Sequence, residues 1–116
     1  MSASETLRFF ARFFVSDASE ARIVSTLERV GLDRVRDLPC QYLSAGQRKR
    51  LALARLAIAA RPLWLLDEPL AALDTTGKAL AAEMIAAHCA SGGMAVVATH
   101  EPVAISCERL MLGMSA

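Results

Sequence analysis

Two short apolar runs, each followed at once by polar residues, constrain the fold of this chain more than any other feature. The run at residues 63–66 ends in Asp67 and Glu68, and the run at residues 94–99 ends at His100. A short continuous apolar run is typical of a strand that is covered on both faces, as in a parallel sheet. The sequence therefore predicts two buried strands whose carboxyl ends carry chemically capable side chains.

The residues between the two runs predict a helix. Asp74 is a candidate N-cap, the helix extends to about Ser91, and Gly92 and Gly93 interrupt it. Strand, helix and strand in this order predict a right-handed crossover unit and place the chain in the α/β class. After the second strand we expect a further helix over residues 103–107 and a short strand over residues 110–112.

The residues before Pro62 predict three helices. All four Phe residues fall in the first, at spacings that place them on one helical face, which either packs on the core or docks a partner. They are Phe9, Phe10, Phe13 and Phe14. The second helix is expected to begin at Asp17, with Glu20 at capping-box spacing, and to end at Gly31.

The apolar stripe of the second helix is predicted to be Ile23, Leu27 and Val30, which recur at helical spacing. The third helix is predicted to begin at Ser44, because Gln47 follows at capping-box spacing. Its Ala and Leu residues favour helix until the proline at position 62.

The composition excludes several classes of protein. With 116 residues, 54% of them hydrophobic, the chain is one domain at most and is not disordered. Its formal net charge of +1 demands no anionic partner, and no apolar run approaches the ~20 residues that span a bilayer. Cys40, Cys89 and Cys107 are odd in number and widely spaced, so we expect reduced thiols.

A candidate ligand site combines the strand ends with a helix N-terminus. In open α/β sheets, ligands bind beyond the carboxyl ends of the strands. Neighbouring strand residues point in opposite directions, so one of Asp67 and Glu68 could face a metal and the other a reacting water, although such a pair alone is more often a solvated strand end. The N-terminus at Ser44 and Gly46 offers unpaired N–H groups and partial positive charge to a phosphate.

With these motifs the sequence resembles the ATP-binding domain of ABC transporters. Residues 43–47 resemble the signature loop, residues 63–68 the Walker B strand with its catalytic glutamate, residues 71–74 the D-loop, and His100 the switch histidine. All four occur in the order of the family. The resemblance implies an α/β domain of the P-loop NTPase type, with a parallel sheet core and a helical subdomain, and it implies ATP and Mg²⁺ as ligands.

The resemblance also implies a role for each matching residue. Asp67 would hold Mg²⁺ through water at the β- and γ-phosphates, Glu68 would activate the attacking water as general base, and His100 would sense the γ-phosphate. The signature residues would contact the γ-phosphate of a nucleotide held by a second ATP-binding domain in a head-to-tail dimer. These residues are Ser44, Ala45, Gly46 and Gln47. Asp74 would bridge the two domains.

Within this family the sequence is most similar to the ATP-binding subunits of haem exporters of cytochrome c maturation. The similarity rests on the Phe-rich start, on residues 28–32, 38–39 and 62–64, and on residues 92–94 with 99–102. It implies integral membrane subunits as partners and a peripheral position on the cytoplasmic face of the bacterial inner membrane. The Phe-rich face then becomes a candidate docking surface.

The phosphate-binding motif of the family is absent from these 116 residues. A working site needs the P-loop, Gly-x-x-x-x-Gly-Lys-Ser/Thr, but the nearest match, Gly77-Lys78, is followed by Ala79 and lies after the Walker B strand. We therefore expect a truncated domain, with a helical subdomain at residues 1–61 and the C-terminal part of the ATPase core at residues 62–116. Alone, it is expected to expose apolar surface and neither to bind ATP tightly nor to hydrolyse it.

Other interpretations stay open on the sequence. The chain could serve another ABC transporter, or supply only residues 44–47 in trans without hydrolysing ATP. A chromosome-maintenance or repair ATPase carries a related signature, but Pro69 favours the transporter class and no heptad coiled coil is present. The basic residues 48–50 are more typical of a solvated helix face than of a nucleic-acid site, so no nucleic-acid partner is predicted.

Overall fold

The computed structural model describes residues 1–14, 19–59 and 61–100. Within these ranges the elements are α1 (Ala3–Phe14), α2 (Glu20–Arg29), α3 (Ala45–Ala59), β1 (Leu63–Asp67), α4 (Thr75–Ala90) and β2 (Met94–Ala98), with 3₁₀ turns at Asp33–Val35 and Cys40–Tyr42. The order β1, α4, β2 confirms the predicted strand–helix–strand unit. No helix in these ranges has the length and apolar character needed to cross a membrane.

The two strands pair in parallel along their whole length. Leu63 lies opposite Met94 at one end, and Asp67 lies opposite Ala98 at the other. This parallel pairing confirms the α/β class. Because the strands run in the same direction, their carboxyl ends meet at one edge of the sheet, and the residues that follow each strand are brought together there.

The connecting helix α4 has the ends that the sequence predicts. The Asp74 carboxylate accepts a hydrogen bond from the Gly77 N–H at 2.8 Å and caps the first turn. Gly77 is buried in that turn, so Gly77-Lys78 belongs to a helix and not to a phosphate-binding loop. At the other end Gly92 has a φ of 97°, a left-handed conformation that glycine adopts without strain.

Helices α1, α2 and α3 pack around a buried apolar core. The predicted stripe of α2 is confirmed, since Ile23 is 3% exposed and Leu27 and Val30 are fully buried. The end of α2 is a Schellman motif: Gly31 has a φ of 74°, its N–H donates to the Glu28 carbonyl, and the next N–H donates to the Leu27 carbonyl at 2.8 Å.

The start of α2 differs from the prediction. The helix begins at Glu20 and is capped by Ser19, whose hydroxyl accepts a hydrogen bond from the Arg22 N–H at 3.2 Å. The Glu20 carboxylate pairs with Arg8 of α1 at 2.7 Å. The expected cap, Asp17, lies outside the described residues, as do the helix expected at residues 103–107 and the strand expected at residues 110–112.

The aromatic residues of α1 do not share one environment. Leu7 and Ala11 are fully buried and form the core face, whereas Phe9 is 48% exposed. Phe10 is half-buried, and the Arg55 guanidinium lies 5.0 Å from the centre of its ring. The interpretation that the Phe-rich face packs on the core is therefore wrong for Phe9, because two residues along a helix turn a side chain by about 200° away from Leu7. The side chains of residues 13 and 14 lie outside the described part.

The prediction that both strands are covered on both faces is also wrong. One face of the sheet packs inward, where Trp64 is 4% exposed. The alternate residues of the other face are Leu63, Leu65, Met94 and Val96, which are between 47% and 70% exposed. Side chains alternate across a strand, so covering a two-stranded sheet on one side leaves every second apolar residue at the surface.

Candidate functional site

Glu68 follows β1 directly and has an unusual backbone conformation. β1 ends at Asp67, and Glu68 has a φ of 47°. A residue with a side chain seldom adopts this left-handed conformation without restraint from its surroundings. The expected alternation of two carboxylates along one strand is therefore corrected: Glu68 lies beyond the strand, and the left-handed turn sets the direction of its side chain.

The Glu68 carboxylate lies beside the end of β2. The Glu68 N–H donates to the Ala98 carbonyl at 2.7 Å, which extends the strand pairing by one residue. The Thr99 hydroxyl donates to Glu68 Oε2 at 3.3 Å, and His100 Nε2 lies 3.5 Å from Glu68 Oε1. The His100 side chain is 98% exposed and the Glu68 side chain 35% exposed, so both remain open to a ligand. The two strand ends thus present a carboxylate and an imidazole side by side.

The resemblance implies that Asp67 binds the divalent cation. It is exposed at the carboxyl end of β1. Among the described residues no group of three or more His, Cys, Asp and Glu side chains could hold a metal ion. Mg²⁺ is commonly held by one or two carboxylates together with substrate phosphates and water, so a single accessible carboxylate fits this ion bound with its nucleotide.

The N-terminus of α3 is closed by the predicted capping box. The Gln47 side chain accepts from the Ser44 N–H at 2.8 Å, and the Ser44 hydroxyl accepts from the Gln47 N–H at 3.1 Å. Ala45 is the first residue of the helix and needs no left-handed conformation. Ser44 and Ala45 are exposed, and Gly46 and Gln47 are half-buried. An anion at this end would meet the helix N-terminus and its partial positive charge.

The loop after Glu68 packs against this helix N-terminus. Ala72 has a φ of 67°, and its carbonyl oxygen would lie 3.0 Å from any Cβ placed on Gly46. Glycine is therefore the residue that permits this approach. Asp74, the last residue of the loop, caps α4 and lies 3.4 Å from Arg50 of α3. Its carboxylate has partners within the chain while the side chain stays 74% exposed.

The basic triplet is only in part the solvated face that the sequence predicts. Arg48 is exposed and donates to the Leu43 carbonyl at 3.2 Å. Lys49 and Arg50 are half-buried, and Lys49 Nζ donates to the Glu68 carbonyl oxygen at 2.9 Å. Arg50 contacts Asp74 at 3.4 Å, so each of the three side chains has a partner within the chain.

The structure brings all eight candidate residues to two neighbouring places. Asp67, Glu68 and His100 lie at the strand ends, whereas residues 44–47 and Asp74 lie at the start of α3 and α4. Two residues beside Glu68, Lys49 and Thr99, were not predicted. Thr99 adjoins His100 in the sequence and could have been found from that adjacency, but the approach of Lys49 depends on how α3 packs, which no local pattern encodes.

Comparison with known proteins shows what the chain as a whole is similar to. The family model described as ABC transporter matches residues 1–71. Two similar relatives are each named "Cytochrome c biogenesis ATP-binding export protein CcmA". The one from Rhodopseudomonas palustris is 47% identical over 116 residues, which is 100% of this chain and 57% of the relative. The one from Mesorhizobium japonicum is 45% identical over 115 residues, which is 99% of this chain and 56% of the relative.

A solved structure is similar in fold. It is a dimeric ATP-binding cassette in a post-hydrolysis state bound to ADP and Pi, and it superposes with a TM-score of 0.77 at 26% identity over 87% of this chain and 47% of that chain. The chain spans little more than half the length of the curated relatives that it matches.

Proposed function

Because this chain belongs to the ABC transporter family, we propose that it is an ATP-binding and ATP-hydrolysing subunit of an ABC-type haem exporter in cytochrome c maturation. The observation that carries the hydrolytic role is the 3.5 Å approach of Glu68 Oε1 and His100 Nε2 at neighbouring strand ends. The names of the relatives, which are ATP-binding export proteins of cytochrome c biogenesis, support the exporter assignment.

The proposed chemistry follows from the positions of the side chains. Glu68 accepts a proton from the water that attacks the γ-phosphorus, and the bond from that phosphorus to the bridging oxygen of ADP breaks. His100 contacts the γ-phosphate and helps to orient the water. Asp67 would hold Mg²⁺, which would neutralise charge on the nucleotide phosphates. The chain mainly positions groups and stabilises charge.

The proposal places the chain in a larger assembly. Residues 44–47 contact a nucleotide held by a second ATP-binding domain, and Asp74 lies at the boundary between the two domains. Residues 1–61 form the helical subdomain, and residues 62–116 form the C-terminal part of the ATPase core. Integral membrane subunits hold the assembly at the cytoplasmic face of the bacterial inner membrane. The P-loop comes from a segment other than these 116 residues.

The test measures phosphate release from Mg-ATP. The chain alone is expected to release none. Assembled with a P-loop-bearing segment of an ABC ATP-binding domain that lacks its own Walker B glutamate, it is expected to turn over, and Glu68→Gln is expected to remove that turnover. Turnover that survives Glu68→Gln would show that Glu68 is not the base.

A second candidate function is the supply of the signature in trans, without hydrolysis by this chain. The ordered capping box at Ser44 and Gln47 favours it, because this helix end is formed without a P-loop. The chain would then stimulate an intact ATP-binding domain whose own signature serine is inactivated. Ser44→Arg would abolish the stimulation, and Glu68→Gln would leave it unchanged.

A further inference from the structure

The left-handed conformation of Glu68 needs restraints, and the structure shows which contacts supply them. The Glu68 N–H is held by the Ala98 carbonyl at 2.7 Å. The Glu68 carbonyl oxygen accepts two hydrogen bonds, one from the Ala71 N–H at 3.2 Å and one from Lys49 Nζ at 2.9 Å. The hydrogen bond from Ala71 belongs to the turn itself, and the one to Ala98 belongs to the strand pairing. Of these three hydrogen bonds, only the one from Lys49 comes from a helix.

The contact from Lys49 is the stronger of the two on the carbonyl oxygen. It is charge-assisted and shorter, and such hydrogen bonds are roughly twice as strong as neutral ones. Lys49 is half-buried, so water screens the contact less than it would at an exposed position. The carbonyl of Glu68 is therefore held by the ammonium group of α3. The main chain in turn sets the Cα–Cβ direction from which the carboxylate reaches Thr99 and His100.

The same helix begins at the signature residues. Lys49 lies within two turns of Ser44, and Gly46 packs against the Ala72 carbonyl in the loop that follows Glu68. Arg50 reaches Asp74 at the end of that loop, at 3.4 Å. α3 thus touches the loop at its start, middle and end, and Lys49 makes the contact at Glu68.

We propose that Lys49 is a positioning residue that holds Glu68 in its left-handed conformation and links the orientation of the Glu68 carboxylate to the position of α3. This inference deepens the proposed function, on which its catalytic meaning rests. Without Lys49, the Glu68 backbone relaxes toward an ordinary conformation and the carboxylate leaves His100. A nucleotide bound at the start of α3 would act on Glu68 through the same contact.

The experiment reads the Glu68–His100 contact directly and needs no nucleotide. The ring-proton resonances of His100 are recorded in the 116-residue chain, in Glu68→Gln, in Lys49→Met and in the double variant. In the chain with Lys49 intact, Glu68→Gln is expected to shift the His100 resonances, because it changes the group next to the imidazole. In the Lys49→Met variant, Glu68→Gln is expected to shift the His100 resonances by less than half as much, because the Glu68 carboxylate has already left His100.

Two controls separate positioning from general damage. Lys49→Arg, which keeps a charged donor, is expected to restore most of the Glu68-dependent shift. Arg48→Met removes the neighbouring charge, whose hydrogen bond goes to Leu43, and is expected to leave the shift intact. If the Lys49→Met spectrum shows a folded chain and the full shift remains, the proposal is overturned. If Lys49→Met does not fold, failure of Lys49→Arg to restore the contact in a folded chain overturns it equally.

The result is independent of the proposed enzymatic role. Suppose that Lys49→Met reduces the Glu68-dependent shift of His100, and that the assembled protein does not turn over ATP. This result would support the positioning of Glu68 by Lys49 and contradict the proposed hydrolysis. Turnover that requires Glu68 but is unaffected by Lys49→Met would support hydrolysis and contradict the positioning role.

Discussion

Apolar side chains are buried more completely in the helical region than in the sheet region. The helical region is α1 to α3, and the sheet region is β1, α4 and β2. In the helical region Leu7, Leu27 and Leu32 are fully buried. In the sheet region Leu65 is 70% exposed and Met94 is 64% exposed. A high apolar content therefore does not show that a segment is buried within its own chain, since burial needs a neighbouring element on each face.

The largest difference between the two regions is expected in their response to truncated leucines. Leu27→Ala should lower the free energy of unfolding by about 2–5 kcal/mol, because it removes a fully buried side chain and leaves a cavity. Leu65→Ala should change it by about 0.5 kcal/mol or less, because its side chain is already in water. Urea denaturation measures both, and equal losses would contradict the comparison.

An intermediate effect is expected where α4 packs on the covered face of the sheet. The ring of His88 stacks on Trp64 with centres 4.0 Å apart and an angle of 9°, and a Cβ on Gly93 would lie 2.4 Å from that ring. Gly93→Ala should therefore displace His88 and cost about 1–3 kcal/mol. Fluorescence of Trp64, the single tryptophan, reports the displacement. Combining Gly93→Ala with His88→Ala should recover part of the stability, and no recovery would argue against the clash.

A smaller effect is expected at the junction of the two regions. Asp74→Ala removes the cap of α4 and should cost about 1 kcal/mol, whereas Asp74→Asn keeps a capping oxygen and should cost less. The contact with Arg50 adds little because the Asp74 side chain is 74% exposed. The midpoint of urea unfolding distinguishes the two variants. An equal loss in both would assign the effect to the negative charge and not to the cap.

The smallest effect is expected at the start of α1. The Ser2 N–H donates to Glu5 Oε1 at 3.1 Å, and this hydrogen bond, with that of the Ser2 side chain, lowers the pKa of Glu5. A lowered pKa in the folded state stabilises the fold above the unfolded-state pKa, and this contribution is lost as the pH falls through the folded-state value. Glu5→Gln should therefore reduce the loss of stability on acidification. An unchanged acid dependence would contradict this.

Much of the fold follows from local signals in the sequence. The Schellman end at Gly31 and the capping box of Ser44 and Gln47 are encoded within a few residues, and both are confirmed. The strand ends are encoded by the abrupt change from apolar residues to Asp67 and Glu68. Parallel pairing follows from the helix between the two strands.

The remaining features depend on packing, which local patterns do not specify. The left-handed conformation of Glu68 cannot be predicted from its residue type, since glutamate has no preference for that conformation. The approach of Lys49 to Glu68 is set by how α3 packs against the loop that follows β1. The exposed face at Leu65 could not be distinguished from a buried one, because its residues have the composition of a doubly covered strand.

The central claim is that the strand ends at Glu68 and His100 face the terminal phosphate of a nucleotide. The most direct measurement replaces Mg²⁺ by paramagnetic Mn²⁺ in the chain assembled with a P-loop-bearing segment and ATP. We predict broadening of the NMR signals of Glu68 and His100, with the signals of Gly92 and Gly93 at the opposite end of the strands retained. Broadening at Gly92 and Gly93 that spares Glu68 and His100 would contradict the claim.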